Sequence, residues 1–224
     1  MAGEEDAGNW VVREVRTYHS DDHEWTARSA PADDLTPRIR FLLKGTVYTG
    51  DPNDGAQFKS AAFNPPVSLP TFSRQDDLRP TSSEAVGHED ELADYYRRVT
   101  ELTQPRQPEY NYWLRLSLES PSRSLEIGFP WWDRLAEMSE FITWLRRAPA
   151  GAGFLDQDQG WMIRAFRTEG RLHFLDCDPD DDDRERSNIS AGRPDFLHRL
   201  ERAEHDARLV IAGLRARLGM DPWS

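Results

Sequence analysis

The chain has 224 residues, of which 40 are acidic and 28 basic, so its formal net charge is −12. A chain of this length can bury about 70% of the surface that it exposes when unfolded. Its 8 Trp, 10 Phe and 6 Tyr supply the apolar surface that a disordered chain lacks, so we expect a packed core. The negative charge disfavours bare nucleic acid as a partner, and the single cysteine, Cys177, excludes an intrachain disulfide.

Two features predict a cytoplasmic protein with no membrane association. No apolar run approaches the roughly 20 residues that a membrane-spanning helix needs. The first six residues include three acidic ones, where a signal peptide would be basic. All but two of the 28 basic residues are arginines, a bias that indicates a GC-rich, bacterial coding genome. Arginine also favours bidentate pairing with carboxylates, so many of these charges are expected to form surface networks.

The first part of the chain predicts strands. Residues 10–18 are rich in valine and aromatic side chains and indicate a strand that follows a disordered tail at residues 1–9. A weaker strand is expected at residues 24–29. Residues 38–48 alternate apolar and polar side chains and predict a further strand, in which Gly45 indicates a bulge or bend.

The stretch from residue 50 to residue 87 predicts a long irregular loop. It contains five prolines among Asp, Asn, Ser and Gly and shows no helical or strand period. Residues 89–103 then predict a helix. Apolar side chains recur every three or four residues, and three acidic residues occupy the first turn, where the helix dipole favours negative charge.

The middle of the chain predicts a hairpin and a second helix. Residues 110–119 alternate strictly between apolar and polar side chains, and residues 125–129 repeat the alternation after a Pro-Ser turn. Residues 131–147 carry an apolar stripe at helical spacing, and Pro149 and Gly151 end the helix.

The last third predicts another hairpin and a final helix. The two strands of the hairpin are expected at residues 161–168 and 171–177, followed by a polar, acidic stretch at 178–192. Pro194 suits the first turn of a helix whose apolar stripe continues to Leu218. This order predicts an α+β fold, with an antiparallel sheet of several hairpins packed by about three helices in a single domain over residues 1–224.

An acidic run follows the last predicted strand and is the first candidate site. It consists of Asp178, Asp180, Asp181, Asp182 and Asp183, with Asp176 just before them on the strand. The spacing resembles the start of a calcium loop, but Asp183 stands where that loop needs glycine, and Ile189 stands where it needs a bidentate Glu. The run is therefore interpreted as a solvated turn, a contact surface for a basic partner, or a nonspecific divalent-ion site.

Two histidines and the cysteine are the further candidates for metal binding or nucleophilic chemistry. His19 and His23 are four apart, a spacing that binds zinc on a helix, but their surroundings predict strand and turn. The two histidines are therefore weak candidates for metal ligands, and the alternative interpretation is an exposed polar turn. Cys177 is about 13 Å along an extended strand from His173, too far for activation, so a buried thiol is expected. No cofactor-binding motif is present in the sequence.

Several tryptophans cluster around the central hairpin and the second helix. Trp113 falls on the polar face of its strand and Trp144 lies off the main stripe of its helix, while Trp131 begins that helix. Packing in the core is one interpretation of these residues. The other is a contact surface in which exposed indoles anchor a partner.

An acidic α+β domain with antiparallel hairpins, many tryptophans and no catalytic motif resembles the immunity proteins of bacterial toxin–antitoxin systems. The resemblance covers architecture and charge, not motifs. It implies a binding protein that covers a basic toxin through the residue 178–183 run and exposed tryptophans. The alternatives are an enzyme whose site is built from scattered residues, and an interaction module of a larger bacterial assembly. In the module, the C-terminal helix would form a homodimer or dock a partner.

Overall fold

The computed structural model describes residues 14–19, 23–49, 59–62, 67–73, 78–103, 111–129, 134–158, 160–181 and 184–223. The chain divides into two compact units, unit 1 with residues 1–31 and 147–191 and unit 2 with residues 32–146 and 192–224. The single-domain expectation for residues 1–224 stays a prediction. The tail expected at residues 1–9 lies outside the described residues.

The α+β class is confirmed by the elements that the described residues form. The strands are β1 (Glu14–His19), β2 (Ala30–Pro31), β3 (Thr36–Phe41), β4 (Thr46–Thr49), β5 (Lys59–Ala62), β6 (Leu114–Ser120), β7 (Leu125–Gly128), β8 (Ala152–Asp158), β9 (Trp161–Arg167), β10 (Arg171–Asp178) and β11 (Arg184–Gly192). The helices are α1 (Ser82–Ala85), α2 (Glu89–Thr103), α3 (Leu135–Arg147) and α4 (Arg193–Leu218).

Unit 1 is built on a six-stranded sheet with the order β1-β8-β9-β10-β11-β2. The pairs β1–β8, β8–β9 and β9–β10 are antiparallel, and the short β2 runs parallel to β11. One face of the sheet forms an apolar cluster in which Trp25, Met162, Phe166, Leu175 and Cys177 are all buried. The predicted hairpin of residues 161–168 and 171–177 is confirmed as β9 and β10.

The strand predicted at residues 24–29 is wrong, because Glu24–Arg28 forms a 3-10 helix. Its one large apolar side chain, Trp25, enters the core, and the Thr26 hydroxyl donates to the carbonyl oxygen of His23 at 2.7 Å. Such a local bond from a threonine offers the backbone an alternative to a strand ladder. Strands β8 and β11, by contrast, were not predicted.

Unit 2 holds the antiparallel sheet β3-β6-β7, a separate β4–β5 hairpin and the helices α1, α2, α3 and α4. Alternate side chains of β3 and β6 are buried, among them Ile39, Phe41, Leu114, Leu116 and Leu118. The bend expected at Gly45 separates β3 from β4. Helix α2 has the predicted bounds, whereas α3 begins at Leu135, and residues 131–133 of the predicted helix lie outside the described residues.

The stretch predicted as a long irregular loop contains two regular elements, β5 and α1. Strand β5 pairs with β4, which supplies its backbone hydrogen-bond partners. Such pairing cannot be predicted from an alternation of apolar and polar side chains, because β5 has none. Thr81 caps α1: its side chain accepts from the backbone N–H of Glu84, whose carboxylate accepts from the Thr81 N–H in return. Residues 50–58, 63–66 and 74–77 of this stretch lie outside the described residues.

The apolar stripe predicted on the last helix is buried within unit 2. Helix α4 packs against β3, α1 and α2, and Phe196, Leu200, Val210 and Leu214 are buried. Leu209 is 48% exposed and lies off the stripe. The apolar face of α4, which was expected to form a homodimer or dock a partner, is therefore covered by other elements of unit 2. No helix among the described residues has both the length and the apolar character needed to cross a bilayer.

Candidate functional site

Carboxylates gather toward one end of the unit 1 sheet, on the face opposite the Trp25 cluster. Ile163 of β9 pairs with Asp156 on one side and with Asp176 on the other, so the three residues form a row across three strands. Asp178 follows two residues after Asp176 and projects from the same face. The side chain of Asp156 is fully buried and that of Asp176 is half-buried. We call the set of Asp156, Asp176, Asp178, Asp180 and Asp181 the acidic end.

An arginine of β11 contacts the acidic end at Asp178. Arg186 of β11 forms an ion pair with Asp178, and the same Nη2 atom donates to the carbonyl oxygen of Gly160 at 3.0 Å. Gly160 lies in the turn between β8 and β9, where it has a φ of 75° that suits glycine. Arg186 therefore links the β8–β9 turn to the β10–β11 turn.

The half-buried carboxyl of Asp176 has a shifted pKa. Burial raises its pKa above the ordinary value of 3.8, because desolvation disfavours the charged form. The Arg186 guanidinium opposes this increase, and the Asp178 carboxylate adds to it. One cation thus serves two neighbouring carboxylates, and a second cation placed here would favour the ionised form of Asp176.

The structure describes Asp178, Asp180 and Asp181 of the sequence-predicted acidic run. The Asp178 carboxylate accepts a hydrogen bond from the backbone N–H of Asp180 at 3.1 Å, and the N–H of Asp181 donates to the Asp178 carbonyl at 3.3 Å. These bonds shape a turn from which the Asp180 and Asp181 side chains project into solvent. Asp182 and Asp183 lie outside the described residues.

Charge is unequally shared between the two units. Unit 1 contains 17 acidic and 9 basic residues, a net charge of −8, although it holds only about a third of the chain. Unit 2 contains 23 acidic and 19 basic residues, a net charge of −4. The acidic end therefore belongs to the unit with the denser negative field.

The tryptophan candidates belong to unit 2. Trp144 is 5% exposed and stacks on Phe141 with the ring centroids 6.0 Å apart, so it is a core residue and the expectation of an exposed anchor is wrong for it. Trp113 of unit 2 is half-buried, and the Lys44 ammonium lies 4.1 Å from its ring centroid. Trp131 lies outside the described residues.

The metal candidates His19 and His23 and the thiol of Cys177 belong to unit 1. His19 ends β1, and His23 precedes the 3-10 helix, where its ring stacks on Phe166 with the centroids 5.2 Å apart. Cys177 is buried as expected, and its thiol is 3.7 Å from the carbonyl oxygen of Met162. His173 is buried too, and burial followed by the Arg171 charge lowers its pKa. Within the described ranges, no three His, Cys, Asp or Glu side chains are placed to hold a metal ion.

The sequence patterns predict neither Asp156 of the acidic end nor Arg186, the ion-pair partner of Asp178. Asp156 lies on β8, a strand that was not predicted, and Arg186 lies on β11, which was interpreted as an acidic connection. Residues 154–156 alternate in the faces to which their side chains point, but this pattern indicates a strand only weakly. A buried carboxylate interrupts the apolar pattern from which strands are predicted.

A scan against protein-family models, a search of curated proteins and a search of solved structures each found no match to this chain.

Proposed function

We propose that this chain binds a basic partner protein through the acidic end of unit 1 and thereby inhibits or sequesters it, as immunity proteins do. The observation that supports the proposal is the presence of exposed carboxylates on the more negative unit. Asp180 and Asp181 are exposed at the turn, and Asp176 and Asp178 share one arginine behind them. The proposal assumes the bacterial cytoplasmic setting that the sequence predicts.

The mechanism is electrostatic steering followed by ion pairing. A patch of one sign raises the rate of encounter with an oppositely charged surface, and the effect weakens as salt increases. Asp180 forms no ion pair with any described residue. Its carboxylate can therefore pair with a guanidinium group of the partner without first breaking an ion pair within the chain. A cation near Asp176 would offset the desolvation that raises the pKa of this group.

Aromatic anchoring is not part of the proposal. Trp25 and Trp161 of unit 1 are buried, as is Trp144 of unit 2. A homodimer through α4 is not part of it either, since the apolar stripe of that helix packs inside unit 2. The proposed contact therefore depends on charge, and we expect it to be sensitive to ionic strength.

The proposal can be tested by affinity capture from cells of the source organism with the purified, immobilised chain. Bound proteins would be eluted with rising salt and identified by mass spectrometry. Asp180→Asn/Asp181→Asn removes two exposed charges from the turn. Glu101→Gln/Glu140→Gln removes two exposed charges from α2 and α3 of unit 2 and is the matched control.

We expect a basic protein to be retained by the wild type and by the control, and to elute from the Asp180/Asp181 variant at clearly lower salt. Its affinity for the purified variant should fall about three- to tenfold, as for exposed charges at the edge of an interface. The proposal is overturned if no basic protein is retained, or if both variants retain it equally.

A further inference from the structure

A cavity of about 280 Å³ on unit 2 lies outside the acidic end and has the opposite charge. It lies between β3, the start of α1 and the first half of α4. Its charged lining is formed by Arg38, Arg199, Arg202 and Asp206, and Ser83 also lines the cavity. Three guanidinium groups against one carboxylate give the lining a net charge of +2, although unit 2 as a whole is negative.

The three arginines keep most of their charge available. Arg199 donates through Nη1 to the carbonyl oxygens of Asp33 and Leu35, at 2.9 and 2.8 Å, so it is positioned without being neutralised. Arg202 is exposed and forms neither a hydrogen bond nor an ion pair with any described residue.

Arg38 completes the set. Its Nε atom is 4.0 Å from the nearer carboxylate oxygen of Glu119. The other oxygen of Glu119 binds Arg40 at 2.6 Å, so the charge of Glu119 is already largely compensated. Bringing three guanidinium groups to one cavity is unfavourable in the absence of an anion, and an anion bound among them would relieve that repulsion.

We propose that this cavity binds the phosphoryl group of a small phosphate monoester. Arginine forks match phosphate oxygens, and a hydroxyl such as that of Ser83 can donate a further hydrogen bond. The cavity is slightly smaller than the roughly 300 Å³ at which pockets for drug-sized ligands begin, so the ligand is a small molecule.

Asp206 defines the other end of the ligand. It lies four residues after Arg202 on α4, yet the two side chains form no ion pair among the described residues. A carboxylate only accepts hydrogen bonds, and it repels a phosphoryl group. Asp206 therefore receives a hydroxyl group of the ligand, which distinguishes a hydroxylated phosphate ester from inorganic phosphate.

The experiment is isothermal titration calorimetry on the full chain with glycerol 3-phosphate, inorganic phosphate and glycerol. Arg202→Gln removes a guanidinium that has no partner in the described structure, so it should leave the fold intact. Arg98→Gln removes an exposed arginine of α2 that likewise has no described partner, and it is the matched control. Arg38→Gln provides a second variant in the cavity.

We expect glycerol 3-phosphate to bind, and its affinity to fall about tenfold in Arg202→Gln and in Arg38→Gln but not in Arg98→Gln. Glycerol should not bind, and inorganic phosphate should bind more weakly than the ester. Asp206→Asn should reduce that preference. The proposal fails if neither phosphate compound binds at 1–10 mM (about the weakest range that calorimetry resolves), or if Arg98→Gln weakens binding as much as Arg202→Gln. Equal affinity for the two phosphate compounds would overturn the role of Asp206.

Discussion

Arg186 forms an ion pair with Asp178 and, through the same nitrogen, a hydrogen bond to the Gly160 carbonyl oxygen. The arginine side chain is 44% exposed, so solvent screens the pair. We expect Arg186→Gln to lower the free energy of unfolding by about 1 kcal/mol, because it removes the ion pair and the bond that holds the neighbouring turn. Urea denaturation followed by tryptophan fluorescence measures the loss. Arg147→Gln, at an exposed position without a described partner, should change it by less than about 0.5 kcal/mol.

Asp176 should make the stability of the chain depend on pH in a defined direction. Burial raises its pKa above 3.8 in the folded chain, so the folded state holds this proton to higher pH than the unfolded state does. The stability that it contributes is therefore present in acid and lost as the pH rises from about 4 through the raised pKa.

We expect Asp176→Asn to differ little from the wild type at pH 3 and to become relatively more stable as the pH rises to 7. Unfolding free energies measured at several pH values in this interval check the sign. Glu169→Gln, an exposed change in the β9–β10 turn, should give no such trend. A trend of the opposite sign for Asp176→Asn would contradict the assignment of burial as the dominant cause.

The sequence predicts those elements of this fold that carry a clear apolar period. The predicted and observed bounds of helix α2 agree because its apolar stripe is uninterrupted and acidic residues mark its first turn. Strand β11 has no such period, since its buried positions include Ser187, Asn188 and Ser190. Hydrogen bonds hold it instead: the Asn188 amide donates to the Trp25 carbonyl at 3.1 Å and accepts from the Ser29 hydroxyl at 2.6 Å.

The candidate sites, too, can be predicted from the sequence only where their residues lie close together along the chain. The run of aspartates after β10 was visible in the sequence, but the row that joins Asp176 to Asp156 depends on strand register. The arginine cavity joins Arg38 to Arg199 and Arg202, which are about 160 positions away along the chain. Such long-range proximity has no local pattern, so a single sequence contains no signal from which to predict it.

Glu204 on α4 is a buried carboxylate held by two arginines. It accepts from Arg146 at 2.5 Å and from Arg208 at 2.7 Å. Burial alone would raise its pKa, but the hydrogen bonds from Arg208 and Arg146 outweigh that effect and hold the pKa below 4.5. This stabilisation is therefore complete above the unfolded pKa and is lost as the pH falls below about 4.5.

We expect Glu204→Gln to lower the free energy of unfolding at pH 7 by about 1–2 kcal/mol, a value reduced by the solvent exposure of both arginines. The difference from the wild type should shrink as the pH is lowered toward 3. Glu201→Gln, an exposed change on the same helix, is the control and should have little effect. A loss that does not depend on pH would point to packing as its cause.

Glu91 ties a piece of the sequence-predicted loop to α2. One of its carboxylate oxygens accepts from both the backbone N–H and the hydroxyl of Thr71, at 2.7 and 2.6 Å, and the other lies 2.9 Å from His88 Nδ1. The hydrogen bonds from Thr71 and then from His88 lower the pKa of Glu91 to about 2. The stability that this tie contributes is complete above pH 4.5 and is lost as the pH falls from 4.5 to about 2.

We expect Glu91→Gln to speed hydrogen exchange at the Thr71 amide, because the bond becomes weaker when the acceptor is neutral. Exchange within β6 should not change. Glu101→Gln, at an exposed position later on α2, should leave the Thr71 amide protected. Unchanged exchange at Thr71 in the Glu91 variant would contradict the tie.

Trp223 closes the aromatic core of unit 2, although it lies beyond the last predicted element. It is 2% exposed and packs against Phe41, Tyr96 and Tyr112, with ring centroids 6.4, 5.9 and 5.5 Å away. Gly219 ends α4 in the left-handed conformation, with a φ of 69°, before the chain reaches Trp223.

Replacing this tryptophan by alanine would leave a cavity among three aromatic rings, so we expect Trp223→Ala to lower the free energy of unfolding by about 3–5 kcal/mol. Trp223→Phe should cost less, because a phenyl ring fills part of the space. Met220→Ala removes an apolar side chain that is 42% exposed and should change stability by less than about 0.5 kcal/mol. Thermal and urea unfolding of the three variants measure these differences. A loss below about 1 kcal/mol for Trp223→Ala would mean that the aromatic core closes without this residue.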